Sequence, residues 1–278
     1  MKKNVVSGII ICLVTFYFDF ASAQIQGKFW FGGMGAYLDY KEKEAGKVLD
    51  KDYGWLPGFE GGFLLSERDW MLRIMGRRVS GDVTYDGQTS EGVPLKFDNE
   101  HETIWSVELN YGYTFKTIIN ITPYVGIGYR KWVRGKAQLV QAADGSYAWD
   151  YKEVYKWGYV PVGVILEKRF LRSFKIGFDA AVVFPFNMKM TAYLSEIGGS
   201  DLDFDLGWHV GGKCEVPITF YVKPRTAFYI TPFYRYWNIG ESNLVLGYDP
   251  TDKTWKYFYE PHSITHYYGV SCGVMFEF

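Results

Sequence analysis

Histidine and cysteine are scarce in this chain, at four and three of 278 residues. Neither set stands at the spacing that a metal-ligand group requires, so no metal or other cofactor is expected. Charge of one sign is also missing. With 30 basic and 31 acidic residues the formal net charge is −1, which gives no field to attract a nucleic acid. Beyond the N-terminus no segment approaches 18 uninterrupted apolar residues, so a membrane-crossing helix is excluded there and any crossing must be made by strands. Linkers and low-complexity tracts are absent too. The likeness between Thr122–Trp132 and Thr231–Trp237 is shared strand grammar, since two copies do not make a repeat.

Aromatic residues and glycine are what the chain has in abundance: 19% aromatic, with 23 Tyr, 21 Phe and 10 Trp, and 31 Gly. Such a composition suits strands with an aromatic exterior. The N-terminus reads as a secretory leader. Lys2 and Lys3 precede an apolar run from Val5 to Phe18, and Ala21-Ser22-Ala23 supplies small residues for cleavage before Gln24. The run is short for a membrane span of about 20 residues, and Cys12 lacks the small neighbours of a lipidated cysteine. Residues 1–23 are therefore expected to be removed, leaving 24–278 as one domain.

Alternation with period two sets one face of a strand against the other. From Asp203 to Val216 one parity reads Phe204, Leu206, Trp208, Val210, Gly212, Cys214, Val216, and the other Asp203, Asp205, Gly207, His209, Gly211, Lys213, Glu215. Trp105 to Phe115 and Phe174 to Phe184 repeat the pattern. In a membrane barrel the apolar set faces lipid and the polar set faces the lumen. A soluble sandwich also alternates, but it does not gather aromatics towards strand ends as Tyr111, Tyr113 and Phe115 do. Strands are expected near 26–40, 56–65, 70–83, 102–115, 121–139, 149–168, 174–190, 202–216, 226–246 and 263–278. Short turns at 66–69, 116–120 and 169–173, and a somewhat longer one at 217–225, alternate with longer polar loops near 41–55, 84–101, 140–148, 191–201 and 247–262. The expected fold is all-β: a closed, antiparallel, up-and-down transmembrane barrel of about ten strands, with eight or twelve as neighbouring even counts.

The last strand carries Ser271, Gly273, Phe276 and Phe278, a polar residue, a glycine two positions on and alternating aromatics ending in a terminal Phe. This resembles the β-signal of bacterial single-chain outer-membrane barrels, and the resemblance implies the barrel-assembly machinery as a partner. The Gly-Tyr-Arg strand at 128–130, an extended hairpin over 130–156 and the strand count are similar in layout to the omptin outer-membrane proteases. Omptins set an acidic pair against an Asp/His pair to activate water. Acids stand here at Asp82, Asp86, Asp98, Glu100, Glu196, Asp201 and Asp203, but the loop at 191–200 holds no histidine, and His101 and His262 fall on other loops.

The inward parity carries Glu60, Arg73, Arg77, Glu108, Arg130, Asp179, His209, Lys213, Glu215 and Arg235. Ten strands enclose too little space for an open pore, so these residues are expected to cross a closed lumen as ion pairs. Cys214 and Cys272 share the lipid-facing parity with a strand between them, roughly 9–10 Å apart at ordinary strand spacing, and are expected to be free thiols. No catalytic residue is assigned. Polar and aromatic stretches such as Lys41, Lys43, Lys47, Asp50, Lys51, Asp52, Trp55 and Trp255, Lys256, Tyr257, Tyr259 are expected on extracellular loops. The functional expectation is a non-enzymatic, monomeric outer-membrane barrel with an envelope-structural or loop-mediated role, in contact with outer-membrane lipid and lipopolysaccharide. A narrow solute channel is the alternative. An omptin-like protease, or a lipid-modifying enzyme with a Ser/His pair on its outer face, comes after it; His266 lies on that face without an evident serine.

Overall fold

The computed structural model describes residues 25–89, 91–250 and 253–278. The leader and its cleavage residues Ala21, Ala23 and Gln24 lie outside them. The strand segments are β1 (Ile25–Glu44), β2 (Lys47–Glu67), β3 (Trp70–Gln88), β4 (Pro94–Tyr113), β5 (Asn120–Arg134), β6 (Gln138–Gln141), β7 (Tyr147–Asp150), β8 (Glu153–Leu171), β9 (Phe174–Ala192), β10 (Leu202–Trp208), β11 (Gly211–Glu215), β12 (Ile218–Lys223), β13 (Thr226–Ser242), β14 (Val245–Asp249), β15 (Thr254–Phe258) and β16 (His262–Glu277). β10, β11 and β12 are successive pieces of one stave between β9 and β13. The two short hairpins β6–β7 and β14–β15 stand apart from the main sheet.

Every neighbour is antiparallel, and β16 pairs with β1 from Lys28↔Glu277 to Lys43↔His262, so the sheet closes into a barrel of ten staves. Closure leaves no edge whose unpaired backbone groups would face hydrocarbon. Close approach of two glycines tightens the seam. Gly32 lies opposite Gly273, and a Cβ on Gly273 would sit 2.1 Å from the Phe31 carbonyl oxygen. Phe278 finishes the closure by exchanging backbone hydrogen bonds of 2.9 Å with Gly27 in both directions.

The outer wall explains where the membrane sits. Aromatic pairs gather at a lower level (Trp70–Tyr111, Tyr113–Phe115, Phe174–Phe220, Phe63–Phe278) and at an upper one (Tyr37–Trp55, Tyr37–Tyr268, Trp105–Tyr129). From Tyr113 to Trp105 on β4, or from Phe29 to Tyr37 on β1, is about nine residues, the length of a transmembrane strand. β1 and β2 run for 20 and 21 residues, so roughly a third of each stands above the upper girdle.

Above that girdle water replaces lipid outside the barrel, and the polarity of the strands inverts. Outward positions become Asp39, Lys41, Lys131, Lys156, Asp203 and Asp205. Inward positions become Leu38, Tyr40, Leu56, Trp132, Tyr155, Trp157, Leu202, Phe204 and Leu206, which pack into one continuous core. Fully burying an aromatic removes about 150–250 Å² from water, so this core is a large stabilising element.

The inversion corrects several expectations. The segment 41–55 is not a loop; β1 and β2 continue through it to a two-residue turn at Ala45 and Gly46, whose φ values of 47° and 81° are left-handed. Residues 84–101 are likewise mostly strand, and the long loops expected at 140–148 and 247–262 carry the two small hairpins. Charged residues had marked these stretches as loops, but a strand in water tolerates them on its outer face. Phe204 and Leu206 point inwards with Asp203 and Asp205 outwards, the reverse of the expected parity. The stave breaks between Trp208 and Gly211, and below the break Lys213 and Glu215 face the lumen.

Candidate functional site

The lumen holds three tiers, each explained by what surrounds it. The lowest is a vestibule of about 590 Å³, lined among others by Lys28, Arg73, Glu167, Lys175 and Asp179. Asp179 accepts from Arg73 at 2.7 Å and from the Tyr124 hydroxyl at 2.6 Å.

The middle tier is a dense ionic layer. Arg77 donates to Glu60 at 2.7 Å and in a fork to Glu215 at 2.6 and 2.8 Å; Arg235 also reaches Glu215 at 2.8 Å. Lys213 pairs with Glu108, and Ser271 donates to Glu60 at 2.7 Å. Of the set read from the inward parity, Glu60, Arg73, Arg77, Glu108, Asp179, Lys213, Glu215 and Arg235 thus meet in one interior. Forked, fully hydrogen-bonded pairs are the form in which buried charge is tolerated.

Two members of the expected set lie elsewhere. Arg130 is buried but has no carboxylate partner among the described residues; its guanidinium lies over Trp157, Trp237 and Tyr267, with centroid distances of 5.4, 5.1 and 5.5 Å. An aromatic cage thus takes the place of an ion pair. His209 is exposed, because it falls in the break after β10, and its ring meets His262 edge to face at 5.8 Å.

The upper tier was missed. Arg134, buried at the end of β5, donates to Asp52 at 2.6 Å, Glu42 at 3.1 Å, Glu153 at 3.0 Å and Asp50 at 3.4 Å. Its guanidinium also lies over Tyr40. Glu102 accepts from the Trp132 indole, Glu260 from the Tyr155 hydroxyl, and Glu100 is buried alongside. One cation thus faces an excess of acids inside the barrel, above the membrane band. Burial, reinforced by neighbouring acids, pushes Asp52 up to about 7, Glu260 up to about 8 and Glu100 up to about 10. Glu42 and Glu102 are raised for the same reasons. The signal was present, since Asp52 and Glu42 keep the inward parity of Leu56 and Leu38, but assignment of 41–55 to a loop hid it.

With an ionic middle and an aromatic top, the interior is filled by side chains. Trp132, Trp157, Arg130, Tyr40, Tyr155 and Tyr159 are each less than 2% exposed.

Apart from Glu100, which lies in the upper tier, the acids considered for water activation are held by close partners. Asp86 pairs with Lys96, Asp98 accepts from Thr84, Glu196 pairs with Lys152, Asp201 accepts from the Ser195 N–H, and Asp203 accepts from Thr191. Asp82 pairs with His101 on the outer wall. Cys214 and Cys272 are free.

The outer wall carries an organised feature at the upper girdle. Arg78, Trp105, Lys131, Lys156 and Lys189 lie in direct cross-strand register on β3, β4, β5, β8 and β9. The row crosses a groove of about 720 Å³ with Val107, Leu109, Ile127, Tyr129 and Phe186 in its wall below Lys156 and Lys189, and with Asp205, Thr191 and Asp203 lining it at and above their level.

No protein-family model matches the chain, and no curated protein matches it in sequence. Among solved structures, the outer membrane protease OmpT from Escherichia coli superposes with a TM-score of 0.60 at 12% identity, covering 94% of this chain and 99% of that one. A major outer membrane protein from Thermus thermophilus gives 0.39 at 11% identity, with 91% and 99% covered, and OprG from Pseudomonas aeruginosa gives 0.37 at 10%, with 91% and 95% covered. At such identities the likeness is one of fold alone. The closed ten-stave sheet, its aromatic girdles and the OmpT superposition together identify the fold as that of the outer-membrane β-barrels.

Proposed function

We propose that the protein is a sealed, monomeric barrel of the bacterial outer membrane, whose role is exercised on its outer wall and extracellular end, where it holds lipopolysaccharide. The cationic row carries this reading. Lys131, Lys156 and Lys189 face one another across adjacent staves, an arrangement that is repulsive unless an anion is shared. Among the described residues no acid pairs with Lys131 or Lys156, and Lys189 reaches only the exposed Asp205, at 3.5 Å. The row stands where lipid phosphates meet water, with the apolar lower wall of the groove, Val107, Leu109, Ile127 and Phe186, below it for acyl chains. Phosphate and lysine form charge-assisted hydrogen bonds, and the low-dielectric wall strengthens them.

Replacing Lys131, Lys156 and Lys189 together with glutamine is expected to weaken binding of purified lipopolysaccharide by about tenfold or more, with a reduced salt dependence. Unchanged affinity would remove the row from the account. The C-terminal strand makes a separate prediction about the assembly route. Phe278 is 59% exposed although its ring meets Phe63, and its backbone already closes the seam, so the open face of the ring can engage another partner. Phe278→Ser should lower the amount of inserted barrel severalfold in cells while the purified, refolded protein keeps wild-type stability. Normal insertion would show that the terminal ring is not an assembly signal.

A further inference from the structure

A chain of hydrogen bonds on the outer wall has the form of a nucleophilic site. β3 and β4 pair Ser80 with Thr103 and Asp82 with His101, and all four side chains face outwards, since the intervening Val79, Val83, Glu102 and Ile104 are buried. His101 Nδ1 lies 2.8 Å from Asp82 Oδ1, His101 Nε2 lies 3.4 Å from Ser80 Oγ, and Ser80 Oγ lies 2.6 Å from Thr103 Oγ1. A carboxylate only accepts, so it fixes the imidazole proton on Nδ1 and leaves the Nε2 lone pair directed at the serine. Thr103 can donate to Ser80 while Ser80 donates to His101, so the chain runs in one direction.

We propose that Ser80, His101 and Asp82 form a serine hydrolase site for carboxylic esters of anionic amphiphiles in the outer leaflet. Ser80 is the nucleophile, His101 the general base and acid, and Asp82 a positioning residue. The placement selects the substrate. Arg78 lies on the same face of β3 two residues nearer the membrane, about 7 Å along the strand, and belongs to the cationic row. Ser80 stands on the water side of that row, so a phosphate held there, with its acyl chains in the apolar band below, leaves an ester carried on the polar headgroup at the height of Ser80. Arg78 is also within side-chain reach of the carbonyl oxygen as it gains charge. The choice of a lipid ester rests on the outer-membrane reading above; the triad itself does not.

In the first half-reaction Ser80 Oγ bonds to the ester carbonyl carbon and its proton passes to His101 Nε2. The carbon–oxygen bond to the alcohol then breaks and the alcohol oxygen takes that proton, leaving an acyl group on Ser80. Water attacks the acyl carbon, gives a proton to His101, and the carboxylic acid departs as Ser80 Oγ recovers its proton. The sum is ester plus water giving acid plus alcohol. The 3.4 Å separation of Ser80 and His101 belongs to the free site, where such bonds are commonly long and tighten on binding.

The test has two arms. A fluorophosphonate probe is applied to the detergent-folded barrel and the adduct is located by intact mass and peptide mapping. One adduct on Ser80 is expected, with the rate falling about 10³-fold or more in Ser80→Ala and His101→Ala. Asp82→Asn should slow labelling and Asp82→Glu should recover part of it, which a purely structural role would not do. Heat-modifiable mobility on gels confirms that each variant is folded. In the second arm the barrel is placed in vesicles of phosphatidylglycerol acylated on its headgroup glycerol and released fatty acid is measured, with release expected from wild type and none from Ser80→Ala. Wild-type labelling no faster than Ser80→Ala overturns the triad. Labelling without fatty-acid release from inserted barrel overturns the lipid-ester assignment. Failure to insert at all counts against the outer-membrane reading, and the detergent arm still decides the triad.

Discussion

Arg77→Met is expected to destabilise the barrel by about 3–5 kcal/mol, because it leaves buried carboxylates without their main partner. Arg77 joins β3 to Glu60 on β2 and to Glu215 on the opposite stave, with all three side chains almost wholly buried. Without it, Glu60 retains Ser271 and Glu215 retains Arg235, but each must hold its charge in a poorly solvated lumen or take up a proton. The loss should not be additive with Glu60→Gln, since removing one of the stranded charges relieves part of the cost. Urea unfolding in lipid vesicles, followed by tryptophan emission, measures both variants. A loss below about 1 kcal/mol would show that water enters this layer and screens it.

The end of the barrel above the upper girdle should show the reverse of ordinary acid denaturation. Asp52, Glu260 and Glu100 are raised to about 7, 8 and 10, whereas their unfolded counterparts ionise near pH 4. Between those limits the folded protein holds protons that the unfolded chain has released, so stability falls as pH rises from about 4 through 8. The barrel is therefore expected to be more stable at pH 5 than at pH 8, by at least about 1 kcal/mol. Arg134→Met sharpens the test. At pH 8 it removes the cation shared by Asp52, Glu42, Glu153 and Asp50, and about 3–5 kcal/mol should be lost; at pH 5 the loss should shrink as Asp52 and Glu153 take up protons. Paired unfolding curves at the two pH values check the sign. Equal stability at both would mean that this cluster is hydrated and ionised throughout.

Both predictions concern interior charge, yet only the first cluster was legible in the sequence. Glu60, Arg77, Glu108 and Glu215 lie within the membrane band, where apolar-out and polar-in alternation identifies the lumen directly. Arg134 and its acids lie above the band, where water outside the barrel reverses the code and inward positions read Leu38, Tyr40 and Trp132. A pattern that assigns the polar parity to the lumen therefore placed Phe204 and Leu206 on the wrong side. Local irregularity is the second reason. The break at Trp208–Gly211 moves His209 from the lumen to the surface, and nothing in the alternation of residues 203–216 marks it. Cross-strand register is the third. Asp82 and His101 are 19 positions apart, and only the pairing of β3 with β4 brings them to 2.8 Å. The same holds for the lysine row, whose members are ordinary polar residues until β5, β8 and β9 align them.

The fold itself was legible because a closed membrane barrel leaves two marks in this sequence, an even stave count and aromatics at the strand ends, whereas the longer connections expected at 41–55 and 84–101 are mostly strand. What a sealed barrel does with its outer surface depends on register and on the filling of the interior. The aromatic core and the ionic layer beneath it make the seal, and together they separate this account from that of a solute channel. Single-barrel recording in planar bilayers tests it most directly. The account predicts no conductance steps across a voltage ramp from fully inserted protein, and resolved steps of stable amplitude would contradict it.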